Sequence, residues 1–205
     1  MTKPKGLFLS FEGIDGAGKS TQIRRLAARL QNAGREVICT VEPGGTRIGT
    51  RIREVLLDPA TPELSPTTEL LLYFAARAQN VDQVIRPALE RGAIVVSDRF
   101  TDSSLAYQGA ARGLGEEIVL SLDRVACRGL KPDLTIVLDI DTATSATRVL
   151  SKDRLEGEPD EFRRRVREAY LSMVKAEPRR FRQIDGTGTE DAIESAIWEC
   201  VSPYV

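Results

Sequence analysis

The stretch Gly13-Ile14-Asp15-Gly16-Ala17-Gly18-Lys19-Ser20 limits the fold of this chain more than any other. It has the form G-x-x-x-x-G-K-[ST] and lies between an apolar run, Leu7 to Phe11, and an amphipathic run, Ser20 to Ala33. That context predicts a strand, a glycine-rich turn and a helix. In this arrangement backbone N–H groups close around a phosphate at the helix N-terminus. Lys19 is placed to reach the outer phosphates, and Ser20 offers a hydroxyl to Mg²⁺.

The rest of the chain alternates in the same way. Short apolar runs at Val37 to Val41, Ala93 to Ser97, Leu134 to Leu138 and Phe181 to Ile184 predict strands. Helices are predicted at Ile48 to Leu57, from Ser65-Pro66 through Arg86, and at Glu116 to Arg128. Three more are predicted at Thr142 to Leu150, Glu161 to Lys175 and Glu190 to Cys200. Ser65 with Pro66 behind it reads as an N-cap followed by proline at the first helical position. Continuous apolar strands between helices imply an α/β fold, a parallel sheet covered on both faces. Nothing in the chain suggests a linker, so residues 1–205 are expected to form one domain. Its most polar interior stretch, Ser151 to Asp160, is expected to be mobile when empty.

Composition narrows the chemistry. The 205 residues include no histidine, which excludes an imidazole base, a Ser-His-Asp triad and His-ligated metals. With 29 Lys+Arg against 30 Asp+Glu, the net charge of −1 argues against a nucleic-acid coat or a polybasic membrane binder. No apolar run approaches the ~18 residues of a membrane span. The chain enters its first strand almost at once, so no signal peptide is expected, and Cys39, Cys127 and Cys200 form no zinc or disulfide pattern. A reducing cytoplasm fits.

A second acid completes the phosphate site. Val95-Val96-Ser97-Asp98 is a buried strand ending in a carboxylate, the usual companion for Mg²⁺. Arg99 follows it and suggests a second anionic group nearby. Asp98 is not followed by the x-x-Gly of a GTPase switch, and no Asn-Lys-x-Asp guanine reader occurs. A chain of this length with a charged segment late in its sequence suits a nucleotide or nucleoside kinase.

Several motifs in order resemble the bacterial thymidylate kinase (dTMP kinase) family, from Phe8 to about Ala196. They are Phe11-Glu12-Gly13 through Ser20, then Glu42-Pro43-Gly44-Gly45-Thr46, then Leu72 through Gln79. Asp98-Arg99-Phe100 with Ser103 through Gly109 is the most specific, and Asp153-Arg154-Leu155-Glu156 and Ile184-Asp185 follow. Two positions depart from the pattern: Val41 replaces a frequent Arg, and Phe100 a frequent Tyr or His.

The resemblance implies a three-layer P-loop nucleoside monophosphate kinase fold with a five-stranded parallel sheet ordered 2-3-1-4-5. It implies transfer of the γ-phosphoryl of ATP to dTMP, with Mg²⁺. ATP would bind at Gly13, Ile14, Asp15, Gly16, Ala17, Gly18, Lys19, Ser20 and Thr21, with Arg148 stacked on adenine; Ser20 and Asp98 would hold the metal. Arg53 and Arg99 would take the acceptor phosphate, and Asp15 would contact the sugar and those arginines. Phe74 would stack on thymine and Arg77 donate to its carbonyl, although spacing alone favours the core for Phe74. Ser104 and Gln108 would read the ring edge, Tyr107 would exclude a 2′-hydroxyl, and Glu42 would belong to the acceptor site.

Family members put their catalytic cation either in the P-loop or in a basic lid. Ile14 to Ala17 carry no cation, so the lid, about residues 148–160, would supply it from Arg148, Lys152 and Arg154. Arg154 is the first choice for the transition state, and Lys19, Arg99, Arg154 and Asp15 form the expected catalytic set. The family is usually a homodimer, and helices near Leu70 to Val84 or Val119 to Val125 would serve as its interface. The alternatives are a deoxynucleoside or other small-molecule P-loop kinase, and a P-loop ATPase switch that needs no acceptor.

Overall fold

The computed structural model describes residues 6–149 and 153–205. Five parallel strands form one sheet in the order β2-β3-β1-β4-β5. They are β1 (Leu7–Glu12), β2 (Val37–Val41), β3 (Ile94–Asp98), β4 (Leu134–Asp139) and β5 (Phe181–Asp185). This is the 2-3-1-4-5 order expected of the P-loop nucleoside monophosphate kinase fold. All six residues of β1 are buried, as a central parallel strand requires. Its side chains alternate between two cores. Leu7, Leu9 and Phe11 join one with Ile94 and Val96, and Phe8 joins the other with Ala93 and Val95.

Helices cover both faces: α1 (Lys19–Asn32), α2 (Arg47–Leu57), α3 (Pro66–Asn80), α4 (Arg86–Glu90), α5 (Thr101–Ser104), α6 (Glu116–Ala126), α7 (Thr142–Arg148), α8 (Asp160–Ala176) and α9 (Glu190–Val201). α1 buries Ile23, Leu26, Ala27 and Leu30 along one stripe, as its periodicity predicts. Ser65 caps α3 by accepting from the Thr68 amide at 3.2 Å.

The long helix expected from Pro66 through Arg86 is not uniform. A π-helical turn, Val81–Ile85, separates α3 from α4. Pro87 lacks the N–H that an α-helix needs and crowds the turn before it, and the wider turn falls there. A second π turn, Leu105–Ala111, follows α5. The predicted helix to Leu150 ends at Arg148; Leu150 itself, like Lys152, lies outside the described residues.

The fold gathers the chemistry at the carboxyl ends of the strands, where open α/β sheets bind ligands. β1 runs into Gly13, β2 into Glu42, β3 into Asp98 and Arg99.

Candidate active site

The phosphate loop is fixed by the strand beside it. Gly13 has φ 130°, and a Cβ there would lie 2.3 Å from the Leu138 carbonyl oxygen, so only glycine lets the loop leave β1 past β4. Lys19 Nζ donates to the carbonyls of Gly13 (3.0 Å) and Ile14 (3.2 Å) and lies 3.9 Å from the Asp15 carboxylate. Burial, then the nearby Arg99 charge, push its pKa below that of an ordinary lysine. A cavity of about 350 Å³ opens here, and Gly16, Gly18, Ser20, Thr21, Arg53 and Arg148 are among the residues on its wall. Arg148 Nη1 donates to the carbonyls of Gly16 (3.3 Å) and Gly186 (3.0 Å), which pins it at the cavity's edge.

Ser20 Oγ donates to Asp98 Oδ2 at 2.9 Å. Two hard oxygen donors on an open wall suit Mg²⁺, which keeps several waters and shares its coordination with phosphates. The described residues hold no group of three or more carboxylate, cysteine or histidine side chains that could cage a metal alone. The donor set thus fits a nucleotide-borne ion.

Arg99 sits at the end of β3 in the left-handed region, φ 73°, which few non-glycine residues adopt. The Ser97 hydroxyl holds it by donating to its carbonyl at 2.6 Å. This geometry turns the guanidinium across the P-loop. Nη2 donates to Asp15 Oδ1 (2.6 Å) and to the Tyr107 hydroxyl (3.2 Å), and Nη1 to the Gly13 carbonyl (3.1 Å). Burial would raise the Asp15 pKa, but Arg99 and Lys19 outweigh it and hold the carboxyl below its usual range. Arg53, anchored on the Pro43 carbonyl at 2.9 Å, reaches both this cavity and a neighbouring one of about 60 Å³.

Tyr73, Tyr107, Gln108 and Glu42 contribute to the smaller cavity. Behind it, the buried Arg77 donates to Glu42 Oε2 (2.5 Å) and the Phe100 carbonyl (3.1 Å). Its Nη1 is buried with no protein partner, and so is Ser104 Oγ. Orphaned buried polar atoms in a native fold call for a ligand or water. Gln108 Nε2 donates to Glu69.

The structure departs from two expected placements. Phe74 lies in the core with Phe8 and Phe100, its ring 4.6 Å beneath the Arg77 guanidinium, and is not on the cavity wall. Tyr73 is on the wall instead. The stripe Leu70, Phe74, Val81 has helical spacing and faces the core, and this signal was readable in the sequence. Arg154 does not line the cavity at the P-loop. Its Nε donates to the Leu56 carbonyl (2.9 Å) and its Nη2 to Glu69 (2.6 Å), because Asp153 Oδ1 caps a tight turn that directs it toward α3.

Glu12, Ser103 and Tyr170 carry a role that the sequence does not assign. Glu12 Oε2 accepts from Ser103 Oγ (2.6 Å) and the Tyr170 hydroxyl (2.9 Å), and Oε1 from the Phe100 amide (2.8 Å). Ser103 and Tyr170 also accept from Arg99. This buried network underlies the Arg99 platform. Burial, reinforced by Asp102, lifts the Glu12 pKa to about 7.

The sequence model for thymidylate kinase matches residues 11–197. A thymidylate kinase of Deinococcus radiodurans is 51% identical over 201 residues, covering 97% of each chain. One from Pelotomaculum thermopropionicum is 51% identical over 193 residues, covering 92% of this chain and 89% of the relative. The crystal structure of a thymidylate kinase from Ehrlichia chaffeensis superposes with a TM-score of 0.81 at 30% identity, covering 97% of this chain and 99% of that one.

Proposed function

The chain belongs to the thymidylate kinase family and transfers the γ-phosphoryl group of ATP to dTMP, giving dTDP and ADP; we propose the following division of labour among its residues. One observation carries it. Lys19 and Arg99 face each other across Asp15, at 3.9 and 2.6 Å from the same carboxylate oxygen. A cation for the donor's outer phosphates and one for the acceptor phosphate thus meet at a single point, as an end-to-end transfer requires.

The Gly13–Ser20 loop holds the donor phosphates, with Lys19 leaving the loop carbonyls for the γ-phosphate. Ser20 and Asp98 would hold Mg²⁺, which when bound would neutralise charge on the donor phosphates. Arg148 stacks on adenine. Arg99 and Arg53 clamp the dTMP phosphate. One of its oxygens, already ionised at neutral pH, attacks the γ-phosphorus while the bond to the β-bridging oxygen breaks. No general base is needed, which agrees with a chain that has no histidine. Asp15 and Tyr107 take the sugar, with Tyr107 crowding the 2′ position.

Tyr73 stacks on thymine. The unpartnered Arg77 Nη1 and Ser104 Oγ, with Gln108, face the base edge, and Glu42 orients Arg77. The turn at residues 153–159 closes over the nucleotides as a lid. The protein works in the cytoplasm as a homodimer, paired through the exposed apolar residues Leu71 of α3 and Val125 of α6.

Product analysis with ATP, Mg²⁺ and a panel of nucleosides and nucleoside monophosphates tests the reading. dTMP is expected to be converted well, dUMP less well, and dCMP and purine monophosphates poorly. Transfer to thymidine itself would point to a deoxynucleoside kinase, and ATP hydrolysis indifferent to any acceptor to a switch ATPase.

A further inference from the structure

Glu69 lies in the first turn of α3, fully buried, one layer behind the base cavity. Its carboxylate has four close contacts, and every one is a donor. Oε1 accepts from Gln108 Nε2 (2.8 Å) and Arg112 Nε (3.3 Å). Oε2 accepts from Arg112 Nη2 (3.1 Å) and Arg154 Nη2 (2.6 Å). Arg112 is itself braced by Glu158 at 2.6 Å.

This ring decides which way the Gln108 amide points. A glutamine side chain offers an acceptor on one side and donors on the other, and a free one turns either way. Glu69 acts only as an acceptor here, so Gln108 must give it the NH₂ group. Turning the amide over would set its carbonyl oxygen against a buried carboxylate. The Gln108 carbonyl oxygen has no protein partner among the described residues, and Gln108 forms part of the cavity wall.

We infer that Glu69 is a specificity-determining positioning residue: it locks Gln108 as a hydrogen-bond acceptor, so that the cavity takes a pyrimidine protonated at N3 and rejects one whose N3 is a lone pair. Thymine carries that N3–H and cytosine does not. A freely turning amide would serve both bases, because its NH₂ group suits an unprotonated N3. The inference rests on the assignment of Gln108 to the base edge made above. Sites that bind a polar group through fixed partners discriminate strongly, because the wrong ligand leaves those partners unpaired.

The test is equilibrium binding of dTMP and dCMP to the full chain by calorimetry. Wild-type protein is expected to prefer dTMP, and Glu69→Gln to cut the dCMP/dTMP ratio of Kd at least tenfold, since an amide at 69 can donate to a reversed Gln108. Glu69→Gln combined with Arg154→Gln, which also removes one of the buried charges that Glu69 neutralises, carries the same test if Glu69→Gln alone does not fold. In a Gln108→Met background, Glu69→Gln should leave the ratio unchanged, since coupling exists only through Gln108. A lowered melting temperature with an unchanged ratio in Glu69→Gln or in the double variant overturns the inference and leaves Glu69 a purely structural acid. A wild-type protein that does not prefer dTMP overturns the substrate reading and this inference with it.

Discussion

Arg154 Nη2 lies 2.6 Å from Glu69 Oε2, in an ion pair whose two side chains are 8% and 0% exposed. A guanidinium so placed, with its Nε on the Leu56 carbonyl, ties the turn after residue 152 to α2 and α3. In Arg154→Ala, Glu69 keeps Arg112 and Gln108, so the loss is two charge-assisted hydrogen bonds, to Glu69 and to the Leu56 carbonyl, each about 1.5–3 kcal/mol. The melting temperature should fall and the KM for dTMP rise, with kcat at saturation within about threefold of wild type. Arg154→Lys should not restore the wild-type values, because an ammonium cannot reproduce the two-sided fork. A kcat loss of about 10² or more at unchanged melting temperature would show that Arg154 leaves Glu69 for the transferring phosphoryl group.

Tyr73 and Phe74 are adjacent on α3 and should fail in opposite ways. Phe74→Ala removes a buried ring from the core around Phe8 and Phe100 and should destabilise by about 3–5 kcal/mol, in the range for such truncations. Tyr73→Leu leaves that core intact but trims a buried ring of the core around Leu9 and Phe11, so it should raise the KM for dTMP with a smaller fall in melting temperature than Phe74→Ala. Denaturation curves beside steady-state kinetics separate the two. A normal KM in Tyr73→Leu would remove Tyr73 from the base site.

That pair shows how far sequence reasoning reaches. The P-loop, Asp98 and Arg99 follow from local patterns, since a glycine turn and the end of an apolar strand place their own side chains; the sheet order follows from the family resemblance and not from any local pattern. Which of two neighbouring aromatics lines a cavity depends on a helix rotation of about 100° per residue, and so on how α3 packs as a whole. The pairing of Arg154 with Glu69 is hidden from the sequence for a similar reason. The charge of Arg154 is visible in the sequence, but its partner Glu69 is 85 residues away. Glu12 was read as part of a motif, yet its role comes from Ser103 and Tyr170, brought to it from two other elements.

Lys19→Ala should abolish phosphoryl transfer while the fold survives, because the Lys19 ammonium bonds carbonyls of its own loop and pairs with Asp15 of the same loop. Asp98→Asn weakens the acid side of the Ser20–Asp98 pair, so the Mg²⁺ concentration for half-maximal activity should rise. Activity in a Mg²⁺ titration is the measurement. Near-native turnover in Lys19→Ala, or an unmoved Mg²⁺ curve in Asp98→Asn, would contradict the assigned phosphate and metal roles.

Glu12 gives a pH signature that depends on one group. Burial, helped by Asp102, raises its pKa to about 7 in the folded protein from an ordinary value of 4.5. Between those values the folded chain holds a proton that the unfolded chain has released. The stability from this proton is complete below pH 4.5 and is lost as pH rises through about 7. Glu12→Gln does not titrate, and it keeps an acceptor for the Phe100 amide and a polar neighbour for Ser103 and Tyr170. The melting temperature of Glu12→Gln minus that of wild type should therefore climb from pH 5 to pH 8 and level off above it. Taking the difference cancels the titrating groups that do not interact with Glu12, such as Asp15, whose lowered pKa works in the opposite direction. A difference that falls over this interval would mean that Ser103, Tyr170 and Arg99 together outweigh burial and hold Glu12 below its ordinary pKa.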